Sequence, residues 1–165
     1  MHAPSLLKSF SLFVVLGLSV AACGSGGTGG SNDPMVGSWA LNVQKSTYVP
    51  APGPKSQTVV ISGTDQARKI VVDVTPDIGS AMHWEVAGAI NQDLPVTGVN
   101  PNADTYSFKR INRTTLEAQY KKGGRPTITQ TAVVSADGST LTVTGKGVNV
   151  AGQAVKTMAV YDRRP

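Results

Sequence analysis

The chain is 165 residues long, carries a formal net charge of +5 and contains a single cysteine. One thiol excludes an internal disulfide, and residues 35–165, enough for one domain, need none, since a domain of that size buries about two-thirds of its unfolded surface. The basic excess suits anionic lipids, glycans or small acids; nucleic acid is excluded as a partner by the export signal that opens the chain.

That first element is "MHAPSLLKSFSLFVVLGLSVAA". Lys8 precedes an apolar run from Phe10 to Val20, and no acid interrupts it. The run is too short for a membrane-spanning helix, which takes about 20 residues. A basic start, a short apolar centre and small residues at the end describe an export signal over residues 1–22. The tetrad Val20-Ala21-Ala22-Cys23 resembles the bacterial lipobox. The resemblance implies diacylglycerol on the Cys23 sulfur, cleavage before Cys23, and acylation of the freed amine by a palmitate-type chain. The alternative is an ordinary signal peptide cut at Ala22, leaving an exposed thiol. Lipidation accounts for both the position of the cysteine and its solitude. Two or three acyl chains anchor stably, each buried methylene contributing ~0.8 kcal/mol. Residues 23–34 then read as the lipidated cysteine and a Gly/Ser-rich tether. By the same resemblance, Gly24 after the cysteine favours the outer membrane over the inner.

Past the tether no ten-residue window keeps a helical apolar stripe. Short runs rich in Val, Ile, Thr and aromatics recur instead, each followed by a turn signal. Ten strands are predicted, at 36–43, 57–62, 68–75, 81–87, 94–98, 104–111, 115–121, 127–135, 140–146 and 153–162. The fifth is the weakest, because Pro95 cannot donate to a ladder. The tight connectors "SGTD", "GGRP", "ADGS" and "GVNVAG" make neighbours antiparallel. The expected fold is therefore all-β, an antiparallel up-and-down meander of 8–10 strands closed into a barrel, which removes exposed edges. A two-layer β-sandwich is the alternative; it calls for longer connections between sheets.

Within these strands few residues could carry chemistry. "MHWEV" puts His83 and Glu85 on one face and Trp84 on the other. Two ligands at that spacing could begin a metal site, but no third ligand and no nucleophile motif accompanies them. A solvent-facing pair with Trp84 in the core is expected. There is no P-loop and no G-x-G-x-x-G, so no cofactor, no metal and no enzymatic activity is expected. Lys109, Arg110, Arg113, Lys121, Lys122 and Arg125 gather around one hairpin. They read either as a patch for anionic lipid heads or as charges that keep strand edges from pairing. Arg110 alternates with Tyr106 and Phe108, so it points inward with them. There it could hold a ligand carboxylate or snorkel to the barrel mouth.

The two ends of the domain complete the pattern. Gly37-Ser38-Trp39 opens the first strand, and "VYDRRP" follows the last. This G-x-W start resembles that of the lipocalins and related small barrels. The resemblance implies that Gly37, Trp39 and Arg163 close the barrel floor, the guanidinium lying across the indole, a structural role. It also implies that the proline-stiffened segment 44–55 covers an open mouth; a plain solvent loop is equally compatible. The wall of a ligand site would include Trp84, Tyr106, Phe108, Arg110, Leu116, Tyr120 and Ile128. The function expected is a membrane-anchored envelope lipoprotein that binds or carries a small hydrophobic or amphiphilic ligand. The alternative is a pocketless envelope interaction module.

Overall fold

The computed structural model describes residues 32–165. The export signal, Cys23 and the tether as far as residue 31 lie outside the described residues. Twelve strands follow in chain order: β1 (Gly37–Leu41), β2 (Thr47–Val49), β3 (Ser56–Gly63), β4 (Ala67–Thr75), β5 (Met82–Ala89), β6 (Leu94–Pro95), β7 (Thr97–Gly98), β8 (Thr105–Asn112), β9 (Thr115–Lys122), β10 (Arg125–Val134), β11 (Thr140–Val148) and β12 (Ala154–Arg164). Among the described residues the only helical element is a single 3₁₀ turn, Val43–Lys45, capped by the Asn42 side chain, which accepts from the Lys45 N–H at 3.2 Å.

Every ladder is antiparallel, and consecutive long strands pair, β5 and β8 excepted, as short connectors require. The turn between β9 and β10 shows how local sequence fixes this. Lys122 faces Arg125 across a two-residue loop, and Gly123 and Gly124 have φ of +57° and +74°. Positive φ at both positions matches the strand twist, and glycine adopts it without steric cost.

Sheet closure comes from β1, which pairs with β12 on one side and β3 on the other. The path then runs β6-β8-β9-β10-β11-β12-β1-β3-β4-β5-β7. Its two ends are halves of one segment. Leu94–Pro95 pairs with β8, whereas Thr97–Gly98 pairs with β5. The meander is thus an up-and-down barrel closed except for one seam, between β5 and β8, which this short segment bridges. Beyond these ladders, Asn91 N–H donates to the Phe108 carbonyl and Val96 N–H to the Asp104 carbonyl, each 2.9 Å, on the β8 side, and Val99 N–H donates to the His83 carbonyl at 2.7 Å on the β5 side. The sandwich alternative is excluded by this continuous path.

All ten expected strands are present, with two departures. The fifth is split at Val96, because a residue that cannot donate sits where the segment changes partner. The other is β2, inside the segment expected to be loop. After the 3₁₀ turn, Thr47–Val49 resumes the pairing with β12 that β1 began, opposite Lys156–Met158.

Period-two alternation sends one face of each strand inward. In β4, Arg68, Ile70 and Val72 are buried while Lys69 and Asp73 are exposed. The interior holds Trp39, Val86, Phe108 and Leu141, each 2 % exposed or less, and an aromatic cluster of Trp84, Tyr106, Phe108 and Tyr120. Ring centroids in that cluster lie 5.0–6.0 Å apart, in tilted and edge-on pairs. Such pairs contribute roughly 0.5–1.5 kcal/mol each beyond their burial.

Candidate functional site: a plugged barrel with a small interior cavity

The barrel end that holds the start of β1 and the end of β12 is closed by chain rather than by loops. Residues Asn32–Val36, three of which fall in the expected tether, cross this end. Met35, 1 % exposed, fills the opening, and its carbonyl accepts from the Trp39 indole N–H at 3.1 Å. Arg163 pairs in register with Trp39, its guanidinium carbon 4.1 Å from the ring centroid. The same guanidinium donates to the carbonyls of Gly138 at 2.6 Å, Val36 at 2.9 Å and Pro34. Gly37 lies directly against Arg163 Nη1, leaving no room for a Cβ.

Asp33 binds this plug to the wall. Its carboxylate accepts from Arg68 Nη2, from Arg110 Nη1 at 2.6 Å and Nη2 at 3.2 Å, and from the Met35 N–H at 3.0 Å. Burial works against the charge of Asp33. Hydrogen bonds from Arg110, the Met35 N–H and Arg68 outweigh it and hold the carboxyl well below the usual range. Arg110 Nη2 also donates to the Arg113 carbonyl, and Arg113 Nη2 to the Asn32 carbonyl, each at 2.6 Å.

Above the plug lies a cavity of about 70 Å³. Four of the residues expected to line a ligand site do so: Trp84, Tyr106, Leu116 and Tyr120. Phe108 and Ile128 are core residues outside its lining, 2 % and 7 % exposed. Arg110 does not line it either. It faces inward as alternation requires, but at the plug, where Asp33 and Asp65 (3.1 Å) engage it. The cavity wall instead holds Arg68, with Gln57 and Gln130 as further polar groups. Sequence reasoning passed over Arg68, although "RKIVV" places it on the face of Ile70 and Val72. Burial pushes the hydroxyls of Tyr106, Tyr120 and Tyr161 far above their ordinary range. The cavity lining is therefore neutral except for Arg68.

At the opposite end the segment 44–55 forms a strap. It contributes β2 on β12, then crosses to β4, where the Lys55 N–H donates to the Thr75 carbonyl at 2.9 Å and Lys55 Nζ to the Asp77 carbonyl at 3.1 Å. Under it, Tyr48, Pro52, Val74 and Met82 line an open groove of about 400 Å³. Gln57 lines both this groove and the interior cavity, so it stands between them.

The remaining expected residues lie outside. His83 is exposed, its Nδ1 2.7 Å from Asp73 Oδ1 across the β4–β5 ladder, while Glu85 pairs with Lys69 at 2.7 Å. Among the described residues no three His, Cys, Asp or Glu side chains are grouped to hold a metal. The basic hairpin is not one patch. β8 and β9 run the length of the barrel, roughly 25 Å for eight residues. Arg110 and Arg113 thus sit at the plug, and Lys121, Lys122 and Arg125 near the strap. Lys121 is paired with Asp93 at 2.6 Å. No protein-family model matches the chain, and no curated protein matches it in sequence.

Proposed function

We propose that this is an exported, lipid-anchored envelope protein whose barrel binds a small amphiphilic molecule rather than catalysing a reaction. The observation that carries the binding half is the interior cavity, apolar over most of its wall with polar groups concentrated at a few positions. The shape is that of a binding site in miniature. Its volume, about 70 Å³, is far below the roughly 300–1,000 Å³ of sites for drug-sized ligands. The ligand is accordingly small, or only its tip enters past Gln57 and the strap. The likeness to lipocalins is supported by the contact of Arg163 with Trp39 across the first and last strands.

The anchoring half rests on the lipobox at Cys23. Asn32, nine residues after Cys23, is already held by Arg113, so the anchor would lie close in sequence to the barrel's plugged end. The small cavity and the packed aromatic cluster favour one other reading, a solid barrel that serves as an envelope interaction module.

Mass spectrometry of gently extracted native protein tests both halves. A diacylglyceryl and acyl mass on Cys23 and a retained small molecule are expected. A free Cys23 thiol, with membrane fractionation unchanged on Cys23→Ser, would refute the anchor. Protein that retains nothing and binds no small amphiphile would leave the interaction module.

A further inference from the structure

Arg68 is 2 % exposed, and its side chain is fully covered. It and Arg110 share one buried carboxylate, that of Asp33. Asp65, 70 % exposed, approaches both, at 3.1 Å from Arg110 and 3.9 Å from Arg68. Two guanidinium groups therefore share one buried carboxylate, and Arg68 engages both acids through Nη2 alone. Moreover, Nε and Nη1 of Arg68 are buried with no hydrogen-bond acceptor. A charged donor left in that state is costly, and a buried polar group without a partner points to a missing water, ion or ligand. Arg68 stands in the wall of the interior cavity, the rest of which is neutral and largely apolar.

Resting on the reading of the barrel as a binder, we infer that the cavity takes a small monocarboxylate. Its carboxylate is held by Arg68 and its short alkyl end lies against the aromatic wall at Trp84 and Tyr106. One water needs about 10–15 Å³ of cavity, so a cavity of about 70 Å³ limits the acid to a handful of heavy atoms. Charge and size together select the class. A cation would meet the Arg68 guanidinium, a neutral alcohol brings one oxygen to the two unpartnered nitrogens where a carboxylate brings two, and a long acyl chain exceeds the space.

The test is titration of the purified full-length protein in detergent with acetate, butyrate, octanoate and 1-butanol, followed by calorimetry and by tryptophan fluorescence. Saturable binding of acetate or butyrate is expected, at least tenfold tighter than 1-butanol and octanoate. Arg68→Lys keeps a positive charge beside Asp33 and so keeps the plug, but presents a single shorter donor group; it should weaken carboxylate binding tenfold or more. Ala118→Leu fills the cavity without touching the ion cluster, and should abolish it. If butanol binds as tightly as butyrate, or if chloride displaces butyrate with equal affinity, the carboxylate assignment is overturned while the interior site stands. If Arg68→Lys and Ala118→Leu both leave butyrate affinity within twofold, Arg68 is not the recognising group. If neither acid nor alcohol binds, both this inference and the binding reading fall.

Discussion

Asp33→Asn should be among the most damaging single substitutions in the domain, although Asp33 lies before the first strand. The change keeps the shape and removes the charge. Arg68, whose side chain is 0 % exposed, is left with only the exposed Asp65, 3.9 Å away. Breaking a buried ion pair by removing one partner costs about 3–5 kcal/mol. Arg110 suffers less, because it is 15 % exposed and keeps Asp65, and a pair open to water is worth at most about 1 kcal/mol. The expected loss is thus about 3–5 kcal/mol, or roughly 10–20 °C in Tm for a domain of this size. Urea and thermal unfolding of the purified protein at pH 7 would read it.

The same residue sets a pH signature. Asp33 has a folded-state pKa below its unfolded value, so its stabilisation is complete above the unfolded pKa of about 4. It is lost as pH falls from there through the folded value. The gap between wild type and Asp33→Asn should therefore be widest near neutrality and narrow on acidification. A loss under 1 kcal/mol at pH 7, or a gap that does not narrow between pH 4 and pH 2, would refute the account of the plug as an ionic clasp.

Four further outcomes are expected from urea titrations. Arg163→Ala removes three bonds to backbone carbonyls and the contact with Trp39, and should cost about 2–4 kcal/mol. Gly124→Val imposes a β-branched side chain at φ +74° in open space. It should cost about 1–2 kcal/mol through the backbone alone, whereas Gly123→Asn, which suits such a turn, should be near neutral. His83→Ala should change stability by less than about 0.5 kcal/mol, since the His83–Asp73 pair is more than half exposed on both sides.

Much of the fold could be read in advance because period-two alternation and turn chemistry are local signals. "QTVVIS" and "RKIVVDVT" each state which residues face inward, and "KKGGRP" states its turn. Closure was expected because it removes exposed strand edges, and the resemblance at the two ends of the domain set Arg163 against Trp39. What escaped was non-local. Nothing in "NDP" announces that Asp33 will meet Arg68 and Arg110, separated from it by 35 and 77 residues. Composition made those residues look like the end of a linker. The inward direction of Arg110 was legible from Tyr106 and Phe108, but its depth along the barrel was not. Alternation gives the face of a strand and says nothing about which pole a given position reaches. The hairpin cations failed as a single patch for the same reason. Arg68 was legible in principle, as a charge on an apolar face, and that is the pattern that marks a buried ionic partner.

The plug also decides how the molecule is presented. Asn32 enters beside Arg113, and Arg164 pairs with Ser38, so both extremities of the described chain emerge from the same pole. Were the chain moored at Cys23, as proposed, the barrel would be held by that pole, and the far one, with the strap and the Asn149–Gly152 loop, would face away and meet an approaching molecule first.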